Sequence, residues 1–154
     1  MDGITRTPIK DKTMKSDLDL RNVRATEMDD AFRVMKQLRT THSNTSFRSY
    51  ITSMYRSGYQ LVGAFIGDKL YGLIGFRPVK TLARGDYIHV DDLVVDEAFR
   101  KEGIGNALIE FVYFYTKRNG YSKIFLDARP ESIDFYKKNR YIHHSSPSMK
   151  IVVE

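Results

Sequence analysis

Between a β-branched apolar run, Val90-Asp-Asp-Leu-Val-Val95, and an amphipathic run that opens at Asn106 lies Arg100-Lys101-Glu102-Gly103-Ile104-Gly105. The order predicts a strand, a basic glycine-containing turn and a helix. The first N–H groups of a helix have no intrahelical partner, and the helix dipole favours negative charge beside them. Arg100 and Lys101 add positive charge at that point. A solvated turn is the plainer reading of those two side chains, but the adjoining helix start makes phosphate contact the better one. Two well-known phosphate loops do not fit. The dinucleotide fingerprint needs a third glycine where Leu108 stands, and the Gly-Lys-Ser/Thr of a P-loop is missing.

A second group of reactive side chains sits on the strand itself. Strict alternation puts Tyr87, His89, Asp91, Leu93 and Val95 on one face and Ile88, Val90, Asp92 and Val94 on the other. The adjacent aspartates then diverge unless a bulge intervenes. Asp91 is the first candidate for a base or amine anchor, His89 the second, and Asp92 reads better as a tethering carboxylate. An unperturbed aspartate has a pKa of about 3.9, so it would act mainly through water or by holding a cation. His143 and His144, as strand neighbours, point apart and have no evident third ligand, so no metal site is expected.

The elements that must position these groups follow from periodicity. A strand is expected over 19–24 and a helix over 26–39, opened by Thr26 and acidic Glu27, Asp29 and Asp30. A second helix is expected over 46–56, stopped at Gly58. Strands over 60–66 and 70–76 flank a Gly67-Asp68-Lys69 turn, and a third spans 87–95 after a loop over 78–86. An amphipathic helix over 105–119 buries Ile104, Leu108, Phe111, Val112 and Tyr115, and a strand over 124–127 follows. Strand, helix, strand is a crossover that makes its two strands parallel. A short helix over 131–138 and strands over 141–143 and 148–153 complete the expectation. The acceptor side of a site would be shaped by residues 26–57 and the 78–86 loop.

Composition sets the outer limits. At 154 residues, 42% apolar and 12% aromatic, the chain is long enough for one globular domain. The absence of cysteine excludes disulfides, thiolate metal sites and a cysteine nucleophile. No apolar run approaches the roughly eighteen residues of a spanning helix, and a cytoplasmic protein is expected. The formal charge of +6 suits a polyanion or a nucleotide with several phosphates, yet the basic residues are scattered rather than run together. Residues 1–16 are polar and aperiodic and read as a flexible leader, with the domain over 17–154.

The strand, the Arg100-x-x-Gly103-x-Gly105 turn, the helix, the next strand and Ile133-Asp-Phe-Tyr-Lys-Lys-Asn-Arg-Tyr141 together resemble the GNAT superfamily of acyl-coenzyme A-dependent N-acyltransferases. The resemblance covers about residues 18–145, and its specific motifs lie between 87 and 141. It implies an α/β fold in a single GNAT-like domain: a mixed sheet with antiparallel N-terminal strands and a β-α-β coenzyme A-binding unit. It implies that acetyl-coenzyme A is the acyl donor. Its pyrophosphate would meet the backbone of Arg100, Lys101, Glu102, Gly103, Ile104, Gly105 and Asn106, and its pantetheine arm that of Leu93, Val94 and Val95. Tyr136 would protonate the leaving thiolate, although a core aromatic is the plainer reading of that residue, and Asp91 or His89 stands where similar proteins keep a base. The implied activity is acetyl transfer to a primary amine by direct attack in a ternary complex. The implied acceptor is a small-molecule or lysine amine, and the implied assembly a homodimer. Asp86, Asp91 and Asp92 point softly to a cationic acceptor. Two positions depart from the family: Arg129 replaces a frequent asparagine, and Asn139-Arg140 replaces the usual glycine after the short helix. A basic binding module for nucleic acid or a regulatory partner, with coenzyme A bound idly or not at all, is the alternative of a different class.

Overall fold

The computed structural model describes residues 17–154, so the expected leader over 1–16 lies outside the described residues. Strands β1 (Asp19–Asn22), β2 (Gln60–Ile66), β3 (Lys69–Thr81), β4 (Gly85–Val95) and β5 (Ile124–Leu126) form one sheet in the order β1-β2-β3-β4-β5. The first four pair antiparallel, and β5 pairs parallel to β4. Helices α1 (Met28–Met35) and α2 (Asn44–Tyr55) cover one face, called the front here. Helix α3 (Ile104–Arg118) covers the back, and a short helix, α4 (Ile133–Lys138), follows β5. No helix among the described residues is long and apolar enough to cross a membrane.

Alternation on the central strands feeds two cores. Leu61, Phe65, Leu73 and Val94 pack forward against Ala31, Val34, Phe47 and Ile51. Val62, Ala64, Ile74, Phe76, Ile88 and Val90 pack backward against Ile104, Leu108, Ile109 and Val112. Each buried aliphatic contributes about 1.5–3 kcal/mol, which holds α3 against the sheet more firmly than helix propensity could.

Several expectations need correction. The first helix is shorter than 26–39, with a 3-10 turn at Ala25–Glu27 before α1 and turns after Met35. Helix α2 starts earlier than expected because the Ser43 hydroxyl accepts from the Ser46 N–H and caps it at Asn44. The 78–86 segment is no loop: β3 runs on to Thr81 and pairs with β4 from Gly85, as a two-stranded arm. Pro78 is tolerated there because β2 stops opposite Phe76, leaving that part of β3 as an edge. Residues 141–143 and 148–153 form no strand, and Met149, Ile151, Val152 and Val153 are exposed. Strand propensity expresses fit to a half-buried pleated surface, and these exposed residues cover none.

The bulge that alternation left open is present. Gly75 pairs with Asp92 while Phe76 pairs with Val90, so Asp91 is the extra residue in β4. The facing set therefore changes at that point. Tyr87 and His89 lie forward before the bulge, and Asp92 and Val94 lie forward after it. Leu93 and Val95 turn back toward α3, which overturns the single-face grouping of Tyr87 through Val95.

Candidate active site

The bulge carries the site. Both aspartates now border one front cavity of about 730 Å³, together with His89, Leu93, Tyr59, Arg39, Arg77, Arg129 and Tyr136. Arg77 Nε donates to Asp91 Oδ2 at 2.9 Å, and His89 Nδ1 lies 3.0 Å from Asp91 Oδ1. Burial works to raise the Asp91 carboxyl, but the hydrogen bonds and charge of His89 and Arg77 outweigh it and hold the group below its ordinary value. Asp91 is thus a charged, partly covered carboxylate bonded to an imidazole. That arrangement can accept a proton through the ring or orient it toward an incoming amine.

Asp92 is held differently. The Tyr59 hydroxyl donates to Oδ2 at 2.7 Å and Arg39 Nε donates to Oδ1 at 2.8 Å. Both carboxylate oxygens have committed partners, which fits the tethering role. Asp86 pairs with Lys80 on the β3–β4 arm and does not border the cavity. Asp91 and Asp92 are each matched to an arginine, and Asp127 also borders the cavity.

Tyr136 borders the same cavity from α4. Its phenol is pushed up by burial, so it stays protonated and able to donate. Helix α4 is tied to the start of α3 where Asn139 Nδ2 donates to Asn106 Oδ1 at 2.8 Å and to the Phe135 carbonyl at 2.9 Å. That use of the asparagine side chain leaves the left-handed stop to Arg140, at φ 69°, rather than to Asn139.

The basic turn lies beyond the end of β4. Gly103 precedes α3 at φ 84° and Lys101 stands at φ 66°, so the chain folds back just before the helix N-terminus. A Cβ on Gly103 would meet open space, whereas one on Gly105 would come within 3.3 Å of the Phe135 ring. One oxygen of Glu102 is buried with no hydrogen-bond partner, and its charge helps raise the Tyr71 phenol, after burial. The Glu102 side chain is therefore no phosphate ligand, and only its backbone can serve. The β4–β5 ladder ends at Val90 and Leu126, so no strand lies beside Asp91 to Val95 on that side. Asp91 to Val95 thus have no β5 partner, and the strand leads on to the turn that carries Arg100 and Lys101 before the α3 N-terminus, a helix start of the kind that suits anionic groups. Among the described residues no group of His, Asp or Glu is arranged to hold a metal ion.

Sequence reasoning missed Tyr59, Arg39 and Arg77 as neighbours of the aspartates, and Asp127 and Ser132 as bordering residues. Tyr59 follows Gly58 with no motif around it. The two arginines come from the segment after α1 and from β3, a pairing that no local pattern reveals.

Residues 24–140 match the model of the acetyltransferase (GNAT) family. Over 56 residues the chain is 36% identical to a glucosamine 6-phosphate N-acetyltransferase of Trypanosoma brucei brucei, covering 36% of this chain and 38% of that protein. Over 50 residues it is 38% identical to the Arabidopsis thaliana protein of the same name, covering 32% and 34%. Each alignment thus spans little more than a third of the relative. A solved Trypanosoma brucei acetyltransferase superimposes with a TM-score of 0.77 at 22% identity, over 89% of this chain and 100% of that one. The solved Arabidopsis thaliana glucosamine-6-phosphate N-acetyltransferase gives 0.74 at 23%, over 87% and 97%. These two likenesses speak for the fold alone. The match through 24–140 takes in the bulged strand, the basic turn and the tyrosine of α4, and the chain belongs to the GNAT family of acetyltransferases.

Proposed function

We propose that this acetyltransferase moves the acetyl group of acetyl-coenzyme A onto the primary amine of a small acceptor that also carries an anionic group, in one direct step. An amino sugar phosphate is the leading candidate. The observation that carries the reading is the meeting of Asp91, His89 and Tyr136 on one cavity beside β4, the strand that leads into the α3 turn. The names of the two relatives support the acceptor class. So does Arg129, which borders the cavity and, among the described residues, pairs with no carboxylate, its nearest partner being the Leu38 carbonyl at 3.4 Å.

The donor supplies an activated thioester, and the chain's residues do the rest. Asp91, with His89, takes the proton the amine must lose as it attacks the carbonyl. Backbone N–H groups of Leu93 to Val95 orient the arm, and the turn from Arg100 to Asn106 anchors the phosphates. Tyr136 gives its proton to the departing sulfur, and burial keeps that proton in place until then.

The test is release of free coenzyme A thiol with glucosamine 6-phosphate, glucosamine, spermidine and a lysine peptide as acceptors. Turnover should be fastest with the phosphorylated sugar, and Arg129→Gln should raise KM for it while leaving KM for acetyl-coenzyme A in place. Faster turnover of spermidine or the peptide would overturn the anionic-acceptor reading. No turnover with any amine would overturn the N-acetyl transfer.

A further inference from the structure

The bulge in β4 needs something to hold it, because the regular alternative is close at hand. Without it, Asp92 would turn to the back face, among Val62, Ile74 and Val90, where an ionised carboxylate is strongly disfavoured. What favours the bulged register is the set of partners waiting on the front. Tyr59 is 3% exposed and donates to Asp92 Oδ2 at 2.7 Å. It can reach that oxygen only because the residue paired with Asp92 is Gly75, where any Cβ would land on the Tyr59 hydroxyl. Arg39 completes the grip, with Nε on Asp92 Oδ1 at 2.8 Å and a second nitrogen on the Asp91 backbone carbonyl at 2.8 Å. That carbonyl belongs to the residue the bulge has taken out of the ladder.

We propose that Tyr59 and Arg39 are positioning residues: by clamping Asp92 and the Asp91 carbonyl they hold the bulge, and so fix where the Asp91 carboxylate and the His89 ring stand. Gly75 belongs to the same device, as the bare position that admits the tyrosine. Tyr59 does this as a neutral donor, since burial and then the Asp92 charge push its phenol well above its ordinary value. The inference rests on the proposed function for its kinetic arm and on geometry alone for its spectroscopic arm.

Tyr59→Phe tests it most cleanly, because the ring stays and only the hydroxyl leaves. Assayed well below the unfolding temperature, so that the variant is fully folded, kcat should fall about tenfold or more with KM for acetyl-coenzyme A unchanged. The side-chain nitrogen-15 signals of His89 should shift in the same variant. Gly75→Ala should reproduce both effects by pushing the tyrosine aside. A Tyr59→Phe enzyme with wild-type kcat and an unmoved His89 signal, whatever its melting temperature, overturns the proposal. If the wild-type protein acetylates no amine, the proposed function fails, and the His89 signal then decides the clamp by itself.

Discussion

Replacing Glu27 with Gln probes the join between β1 and α1. The Glu27 carboxylate takes two hydrogen bonds from Arg21, each 2.7 Å, and one from the Arg24 N–H at 2.9 Å. The Arg21 contact, first among several causes, lowers its pKa from 4.5 to about 2. For a pair shielded from water a depression of that size would be worth about 3.4 kcal/mol, and this pair is not shielded. The Arg21 and Glu27 side chains keep 20% and 17% of their exposure, yet few protein atoms lie around the carboxylate, so solvent screens the pair more than its small exposed area suggests. Near-surface pairs are generally worth up to about 1 kcal/mol, and we expect Glu27→Gln to lose about that at pH 7, or roughly 2–4 °C in Tm. Glutamine still accepts from Arg24 through its one oxygen, so the difference reports the charge together with the Arg21 hydrogen bond to the second oxygen. The folded-state pKa is depressed, so the stabilisation is complete above pH 4.5 and fades as pH falls toward 2. Urea unfolding of both proteins at pH 7, 4 and 2.5 should show the gap closing with acid. Equal stability at pH 7, or a gap that widens toward acid, would refute this reasoning.

Other expectations concern core and turn. Leu108→Ala empties a fully buried site between α3 and the sheet and should cost about 2–5 kcal/mol, read as a lower urea midpoint. Gly103→Val places a β-branched residue at φ 84° and should cost about 1–2 kcal/mol before any ligand is added. The same variant should weaken acetyl-coenzyme A binding, so the wild-type thermal shift at saturating donor should shrink. Tyr136→Phe should lower kcat about a hundredfold with little change in KM for acetyl-coenzyme A, measured under steady-state conditions.

The parts of this molecule that local pattern governs were legible in the sequence. The 3.6-residue spacing of Ile104, Leu108 and Val112 and the crossover from β4 to β5 were readable because they depend on neighbours in the chain. The tyrosine at 136 and the turn at 100–105 were readable through resemblance. What escaped depended on partners far away in sequence. Alternation put Asp91 and Asp92 on opposite faces. The bulge that brings them to one cavity involves Gly75, paired with Asp92 across the ladder, and Tyr59, bonded to the Asp92 carboxylate, neither of which a local pattern connects to the aspartates. Pro78 suggested a loop, but whether a proline interrupts a strand depends on which side lacks a neighbour, and that is set by where β2 ends. The three aspartates read as free acidic groups in the sequence, and only the folded chain sets Arg77, Arg39 and Lys80 beside Asp91, Asp92 and Asp86.

The central claim is that Asp91 and Tyr136 serve one acetyl transfer at one cavity. Acetyl transfer to glucosamine 6-phosphate by wild type, Asp91→Asn, Tyr136→Phe and the double variant tests it most directly, with free coenzyme A thiol as the readout. The wild type should give a measurable rate, each single variant should lose most of its kcat, and the double variant should be far less impaired than the product of the two losses. Both single variants turning over at the wild-type rate would contradict it.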